Sequence, residues 1–197
     1  CKSKLEESLQ EYKDAKCSVY LLHGEMSDEE IDAIYKHPKI KAMVSATHGE
    51  GFGLPLFEAA YNALPVVAPG WSGHMDFLYG PVKDKKTKKV KNKPLFAKVD
   101  YSLKHVQRDA VWKDILVKDA MWCFPLEKDF KKKIRKVYTD TGMYKSWANS
   151  LSEHLRNEHS LPKVLDKMLK ALIPEKWLVK PECFFVSDLF VEDYVGG

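Results

Sequence analysis

Three glycines at alternate positions lead into helix-forming residues in the segment His48-Gly49-Glu50-Gly51-Phe52-Gly53-Leu54-Pro55-Leu56-Phe57-Glu58-Ala59-Ala60. An apolar run over residues 40–46 comes directly before it and is typical of a buried strand. The glycines let a ligand approach the backbone closely. Pro55 suits the first turn of a helix, where its missing N–H group is no loss. The segment therefore predicts a strand, a glycine-rich loop and a helix N-terminus.

This arrangement predicts a binding site for an anion. Unpaired backbone N–H groups and the positive end of the helix dipole both favour a ligand such as phosphate. Two carboxylates frame the loop, with Glu50 inside it and Glu58 one turn into the helix. Because a carboxylate can accept hydrogen bonds from both hydroxyls of a diol, the combination favours a phosphorylated sugar over a bare phosphate. The simpler alternative is a glycine-rich turn that carries two surface glutamates.

Strand-like and helix-like segments alternate on both sides of this loop. Upstream, Ser27 and Glu30 predict a capping box at the start of a helix that ends at His37-Pro38. Downstream, a helix from residue 54 to about residue 63 precedes a strand over residues 65–68. This alternation predicts an α/β fold with a Rossmann-like parallel sheet and helices on both faces. Ligands of such sheets bind at the carboxyl ends of the strands.

The periodicity predicts further elements in the rest of the chain. These are helices over residues 4–16, 105–117, 127–139, 143–157 and 161–172, and strands over residues 18–23 and 120–125. The aromatic residues of the tail after residue 173 indicate that it packs back on the folded chain or on a partner domain.

Residues 82–98 interrupt the pattern with a dense run of lysines between Lys83 and Lys93. Binding to nucleic acid or to an anionic membrane is one interpretation of such a run. A solvated hairpin insertion is the simpler one, since no aromatic residue alternates with the lysines to stack on bases. We therefore expect no nucleic-acid partner.

Composition excludes several classes of protein. The 197 residues are 45% hydrophobic and carry a net charge of +4, which is typical of a folded domain and dictates no partner. Four cysteines have no C-x-x-C spacing, so neither a zinc site nor a disulfide framework is indicated. No apolar run is long enough to span a bilayer. We expect a cytoplasmic protein.

The motif Glu50-Gly-Phe-Gly-Leu-Pro-x-x-Glu58-Ala resembles the Glu-x7-Glu motif of retaining, nucleotide-sugar-dependent glycosyltransferases of the family 4 type. These enzymes have the two-domain GT-B fold, and their C-terminal domain binds the sugar donor. The likeness extends over residues 18 to about 80 and, more loosely, over about 120–160. It implies that this chain supplies the donor-binding half of an enzyme that transfers a sugar with retention of anomeric configuration.

The resemblance also implies a role for each residue that matches the motif. Glu50 would be the catalytic residue and hold the hydroxyls of the sugar, while Glu58 would bind the ribose diol. The diphosphate would meet backbone N–H groups around Gly51, Phe52, Gly53 and Leu54, and the base would lie near Gly24, Glu25 and Met26. The nucleotide diphosphate sugar would be a co-substrate. No cofactor and no metal are implied, and the acceptor would be a saccharide, a lipid or a protein.

Two features depart from the family pattern. Family members place an Arg and a Lys of an earlier segment against the diphosphate, whereas Arg108, Arg135 and Arg156 all follow the motif. We also expect the first strands of the donor domain and the N-terminal acceptor domain to lie outside this sequence. On this interpretation residues 1–160 form the donor-binding domain with its Lys-rich insertion, residues 161–197 form a C-terminal helix and tail, and the isolated chain is a poor catalyst.

Two other classes of function stay open. One is a different enzyme on the same fold, such as a sugar-nucleotide epimerase or a phosphorylase. The other is a non-catalytic nucleotide-sugar-binding or scaffold module in which the Lys-rich hairpin is the working part.

Three polar residues near the motif have simpler interpretations. His48 and His74 flank the loops, where a histidine can contact phosphate, but an exposed loop histidine without a role is the commoner case. Asp76 is predicted to cap a helix after Ser72-Gly73. The Trp and Phe residues outside the motif are predicted to lie in the core.

Overall fold

A computed structural model describes residues 2–10, 12, 17–84, 86–113 and 115–173 of the chain. The chain divides into two compact units, residues 1–34 and residues 35–197. The predicted tail over residues 174–197 lies outside the described residues, so its packing stays a prediction.

The first unit contains helix α1 (Lys2–Gln10) and most of helix α2 (Asp28–Lys36). The capping box of α2 is confirmed, because the Ser27 N–H donates to Glu30 Oε2 at 2.9 Å and the Glu30 N–H donates to Ser27 Oγ at 3.3 Å. Helix α1 covers the first part of the helix predicted over residues 4–16, and residues 11 and 13–16 of that prediction lie outside the described part.

The predicted strand over residues 18–23 is wrong. These residues form no strand, and four apolar side chains in a row are exposed: Val19, Tyr20, Leu21 and Leu22. An apolar run becomes a strand only where a neighbouring strand completes its backbone hydrogen bonds. The hydrophobicity of this segment was therefore not enough to predict a strand.

The described part of the second unit contains seven strands and four further helices. They are β1 (Met43–Val44), α3 (Leu54–Tyr61), β2 (Val66–Pro69), β3 (Tyr79–Lys83), β4 (Val90–Pro94), β5 (Ala97–Val99), β6 (Tyr101–His105), β7 (Met121–Pro125), α4 (Glu127–Thr139), α5 (Thr141–Glu158) and α6 (Leu161–Leu172). Strands β1, β2 and β5 form a parallel sheet in that order, with Val67 opposite both Val44 and Ala97. The predicted α/β class with a parallel sheet is confirmed, in a small three-stranded form.

Helical side chains cover both faces of β2, the central strand of this sheet. Val66 lies in a buried cluster with side chains of α3 and α5. Its neighbour Val67, on the opposite face, lies in a second cluster with Val137 of α4 and Tyr144 of α5. All four residues of β2 are buried. The sheet is thus held between helices, and the loops after β1 and β2 emerge at its carboxyl edge.

Two antiparallel hairpins complete the second unit. Strands β3 and β4 pair from Tyr79 opposite Pro94 to Lys83 opposite Val90, so the Lys-rich insertion forms a hairpin as predicted. Strands β6 and β7 pair along five residues each. The helix predicted over residues 105–117 is wrong, since this segment holds a 3-10 turn at Arg108–Ala110 and a single bridge between Trp112 and Leu116.

The C-terminal helices begin and end close to the predicted residues. Helix α4 has the predicted bounds, α5 begins two residues early and ends one residue late, and α6 matches. Among the described residues, no helix is both long enough and apolar enough to cross a membrane.

Candidate functional site

The glycine loop ends at the N-terminus of α3, where Gly53 is the N-cap residue. Gly53 has a φ of 91°, in the left-handed region that favours glycine, and its carbonyl accepts from the N–H groups of Leu56 and Phe57. A Cβ atom on Gly53 would lie 3.3 Å from the Cβ of His74. No side chain of the described residues caps this helix end. The cap is therefore made of backbone alone.

The backbone N–H groups of residues 51–54 form a row of free donors at this helix end. Within the described residues, none of the four has a hydrogen-bond acceptor. Gly51, Phe52 and Leu54 are exposed, whereas Gly53 is buried. Unpaired donors in front of a helix N-terminus are what a bound anion requires, and the assignment of the diphosphate to these residues stays a prediction.

A second loop, after β2, fixes the backbone of Glu50. The Oγ of Ser72 accepts from the Glu50 N–H at 2.9 Å and donates to the Glu50 carbonyl at 2.7 Å. The Gly73 N–H donates to the same carbonyl at 3.1 Å. The main chain of Glu50 is thus held by three hydrogen bonds, while its carboxylate makes none within the described residues. We call this set of contacts the Ser72 clasp.

The clasp holds Ser72 in an unfavourable conformation. Its φ of 88° lies in the left-handed region, which costs a residue other than glycine on the order of 1–3 kcal/mol. The loops also approach so closely that a Cβ atom on Gly73 would lie 2.0 Å from the Gly51 carbonyl oxygen. Strain of this kind persists only where the surrounding structure imposes it, and it is frequent at ligand sites.

A cavity of about 610 Å³ opens beside the clasp. Glu50, Ser72, His48, Trp71, Trp122 and Met121 contribute to its lining. This volume falls within the range of about 300–1,000 Å³ that is typical of small-molecule sites. Of the predicted site residues, Glu50 contributes to this cavity, while residues 51–54 and Glu58 lie outside its lining. Two aromatic side chains that the sequence assigned to the core, Trp71 and Trp122, are half-buried in its wall.

The ring of His48 joins the glycine loop to β7. Its Nδ1 lies 2.6 Å from the Cys123 carbonyl oxygen, and because a carbonyl only accepts, Nδ1 carries the proton and donates. The ring also stacks on Trp122, with 4.9 Å between centroids and 9° between planes. In the neutral ring Nε2 is then an acceptor, and it has no partner within the described residues. The polar groups left available at the cavity, Nε2 and the Glu50 carboxylate, suit hydroxyl donors.

Glu58 lies on α3 and has a partner within the protein. Its Oε2 accepts a hydrogen bond from Tyr35 Oη at 3.1 Å, and both side chains are half-buried. Burial, followed by this hydrogen bond to Glu58, raises the pKa of Tyr35 to about 12. The phenol therefore remains a donor throughout the ordinary pH range. It holds one carboxylate oxygen of Glu58 and leaves the other without a partner in the described part of the chain.

The remaining predicted site residues fall in two places. Phe52 packs its ring against Phe57 and Phe77, yet 41% of its surface stays exposed beside the free N–H groups. Gly24, Glu25 and Met26 lie in the first unit, after the exposed segment 18–23. Their assignment to the base stays a prediction.

Three residues differ from their predicted environment. His74 is buried rather than exposed, and its Nε2 donates to the Pro69 carbonyl at 2.7 Å. Asp76 does not begin a helix, since it is the last residue of a 3-10 turn over Gly73–Asp76. Trp112 is 66% exposed rather than part of the core.

Within the described residues, no three or more His, Cys, Asp or Glu side chains come together as a set of metal ligands. The groups available to neutralise an anion at α3 are the backbone N–H groups and the helix dipole.

Comparison with known proteins gives no match to a family model and none to a curated protein.

Proposed function

We propose that this chain is the donor-binding half of a retaining glycosyltransferase that uses a nucleotide diphosphate sugar, with the GT-B architecture that the Glu-x7-Glu motif implies. The observation that carries the proposal is the row of free N–H groups at residues 51–54, held next to Glu50 by the Ser72 clasp. Donors for a diphosphate and an acceptor for sugar hydroxyls thus lie on one short loop.

The diphosphate would bind at the N-terminus of α3. The negative charge on its bridging and terminal oxygens increases as the bond to the sugar breaks, so fixed donors stabilise the transition state more than the ground state. The Ser72 clasp supports this role because it sets the loop geometry before the ligand arrives. Preorganised dipoles of this kind need no reorganisation during the reaction.

The sugar would lie toward the cavity beside Glu50. The carboxylate accepts hydrogen bonds from ring hydroxyls and its charge favours an oxocarbenium-like transition state. With Nδ1 of His48 donating to Cys123, the Nε2 atom of the neutral ring would add a second acceptor, and Trp71 and Trp122 form an apolar part of the cavity wall. A site with two acceptors and without a side-chain cation in its lining suits a neutral, hydroxyl-rich ring better than a phosphate.

Glu58 would bind the ribose diol, with Tyr35 as its positioning residue. The Tyr35 hydroxyl holds one carboxylate oxygen, which restricts the rotamer of Glu58 before the nucleotide binds. Restricting a side chain in advance lowers the entropic cost of binding. The acceptor substrate, whether a saccharide, a lipid or a protein, would approach from a second domain.

A screen by thermal shift tests the proposal. The chain should be stabilised by at least one member of a panel of nucleoside diphosphate sugars, and by the matching nucleoside diphosphate, because a ligand that binds only the folded state raises the melting temperature. The corresponding nucleoside, which lacks the diphosphate, should have a much smaller effect. An epimerase on the same fold would convert the sugar nucleotide without an acceptor, and a scaffold without a donor site would show no shift with any member.

Donor binding is expected to be independent of divalent metals. The charge of the diphosphate would be neutralised by N–H groups and the dipole of α3, so EDTA should leave the affinity for the nucleoside diphosphate unchanged. Isothermal titration with and without EDTA, and with added Mg²⁺ or Mn²⁺, measures this. Strict dependence on either metal would contradict the proposed mode of diphosphate binding.

A further inference from the structure

The Lys-rich hairpin of β3 and β4 is an ordered element with a high density of charge. Six lysines of this hairpin lie in the described residues, and all are exposed: Lys83, Lys86, Lys88, Lys89, Lys91 and Lys93. Five cross-strand residue pairs hold its two strands in register. Two backbone hydrogen bonds close the turn: the Asp84 N–H donates to the Lys89 carbonyl at 2.9 Å, and the Lys88 N–H donates to the Asp84 carbonyl at 3.0 Å.

Asp84 is the one acidic residue between Lys83 and Lys93, and its carboxylate makes its hydrogen bonds within the turn. Its Oδ1 accepts from the N–H groups of Lys86 and Thr87, at 3.0 and 2.7 Å, and from the Thr87 hydroxyl at 3.0 Å. These hydrogen bonds, with that from the Thr87 N–H the largest contribution, lower the pKa of Asp84, and the nearby charge of Lys93 lowers it further. The negative charge therefore stabilises the turn and forms no ion pair within the described residues.

The lysines of this hairpin differ from those of α6. None of the six makes an ion pair with a described residue, whereas Lys163 and Lys167 pair with Glu158, and Lys170 pairs with Asp166. Like charges held together on one short hairpin repel one another, and this repulsion falls when an external anionic partner binds. The charge pattern is thus complementary to an anionic surface.

We propose that the hairpin of β3 and β4 is a docking surface for an anionic lipid bilayer. Residues 83–93 include no arginine to bind phosphate with two hydrogen bonds and no aromatic ring to stack on a base, so they lack the usual means of gripping nucleic acid. Binding to a bilayer requires neither arginine nor an aromatic ring, because the mobile lipid headgroups rearrange around the lysine charges. Each lysine near such a surface strengthens binding roughly fivefold. This inference is independent of the proposed sugar transfer.

Sedimentation with lipid vesicles tests the inference on the full chain. The chain should bind vesicles that contain about one third phosphatidylserine in phosphatidylcholine, should not bind phosphatidylcholine alone, and should dissociate as salt rises above about 0.1 M. The variant Lys88→Gln/Lys89→Gln/Lys91→Gln should bind the anionic vesicles at least about tenfold more weakly.

A matched control removes three lysines elsewhere. Lys163→Gln/Lys167→Gln/Lys170→Gln loses the same charge from α6 and should retain most of the vesicle binding, and thermal unfolding confirms that both variants fold. If both variants lost vesicle binding to the same extent, the binding would depend on the net charge of the chain and not on the hairpin, and the inference would be wrong. Absence of binding to anionic vesicles, or binding to single-stranded or duplex nucleic acid at salt where vesicles are not bound, would overturn it as well.

Discussion

Replacing Glu58 with alanine should weaken the binding of a nucleoside diphosphate roughly ten- to a hundredfold, with or without an attached sugar. The proposed partner of Glu58 is the ribose diol, and hydrogen bonds to a charged acceptor contribute about 1.5–3 kcal/mol. Replacing Glu50 should instead leave the affinity for the bare diphosphate nearly unchanged and weaken the complete donor. The sugar hydroxyls are its proposed partners, and its backbone stays in the Ser72 clasp whatever its side chain is.

Isothermal titration of the Glu50→Ala and Glu58→Ala variants, with a nucleoside diphosphate and with its sugar derivative, measures these different effects on affinity. Glu153→Ala, which removes an exposed glutamate of α5, is the matched control and should bind both ligands normally. Tyr35→Phe removes the hydroxyl that holds Glu58 and should weaken both ligands less than Glu58→Ala does. If Glu50→Ala loses the bare diphosphate as badly as Glu58→Ala, the two glutamates are loop-stabilising acids and the assignment is wrong.

The substitution Gly73→Ala should have the largest effect on both stability and binding. The new Cβ atom would lie 2.0 Å from the Gly51 carbonyl oxygen, a backbone atom that cannot rotate away, so the two loops must separate. Overpacking of this kind costs about 1–3 kcal/mol of unfolding free energy. Separation would also break the Ser72 clasp and displace the row of N–H groups, so the affinity for a nucleoside diphosphate should fall below detection.

Urea denaturation and titration with a nucleoside diphosphate measure the two effects in the same samples. Gly142→Ala is the control, because a Cβ atom on Gly142 in α5 would have no atom of the described residues within 4 Å. Alanine should stabilise that helix by up to about 1 kcal/mol and leave binding unchanged. A Gly73→Ala protein with normal stability and normal affinity would show that the close approach of the two loops has no role in the site.

The sequence correctly predicted those features of the fold that depend on neighbouring residues, such as helix ends. Ser27 and Glu30 cap α2 within four residues of each other, and Pro55 directly follows the first residue of α3. Helix α4 has its predicted bounds, since apolar and charged residues alternate there at helical spacing. Each of these features depends on residues that are neighbours along the chain.

The errors occurred where the structure depends on distant partners. Strand β6 was not predicted, because Tyr101 becomes a strand residue only by pairing with Pro125. The helix expected over residues 105–117 had suitable spacing, yet Val106 is buried while Val111 and Ile115 are exposed, so no single helical face packs on the core. Helix periodicity is a local signal, and tertiary contacts overrode it.

Some features of the candidate site were likewise predicted from the sequence, and others are visible only in the structure. The glycine loop, its position before α3 and the two glutamates were all visible in the motif. The Ser72 clasp joins residues 22 positions apart, and the His48 contact with Cys123 spans 75 positions. In both cases the partner of the side chain is a backbone N–H or carbonyl group, which gives no signal in the sequence. No side-chain pattern marks such contacts, so the cavity wall and the free Nε2 of His48 emerged from the structure.

Backbone amide chemical shifts measured by NMR test the central claim most directly. During titration of the isotopically labelled chain with the nucleoside diphosphate sugar selected by the thermal-shift screen, the N–H signals of Gly51, Phe52, Gly53 and Leu54 should move most. The matching nucleoside diphosphate should reproduce those shifts, and the nucleoside alone should not, because the proposed partner is the diphosphate. Saturable binding with the largest shifts elsewhere in the chain, and none at residues 51–54, would contradict the assignment of this helix end as the donor site.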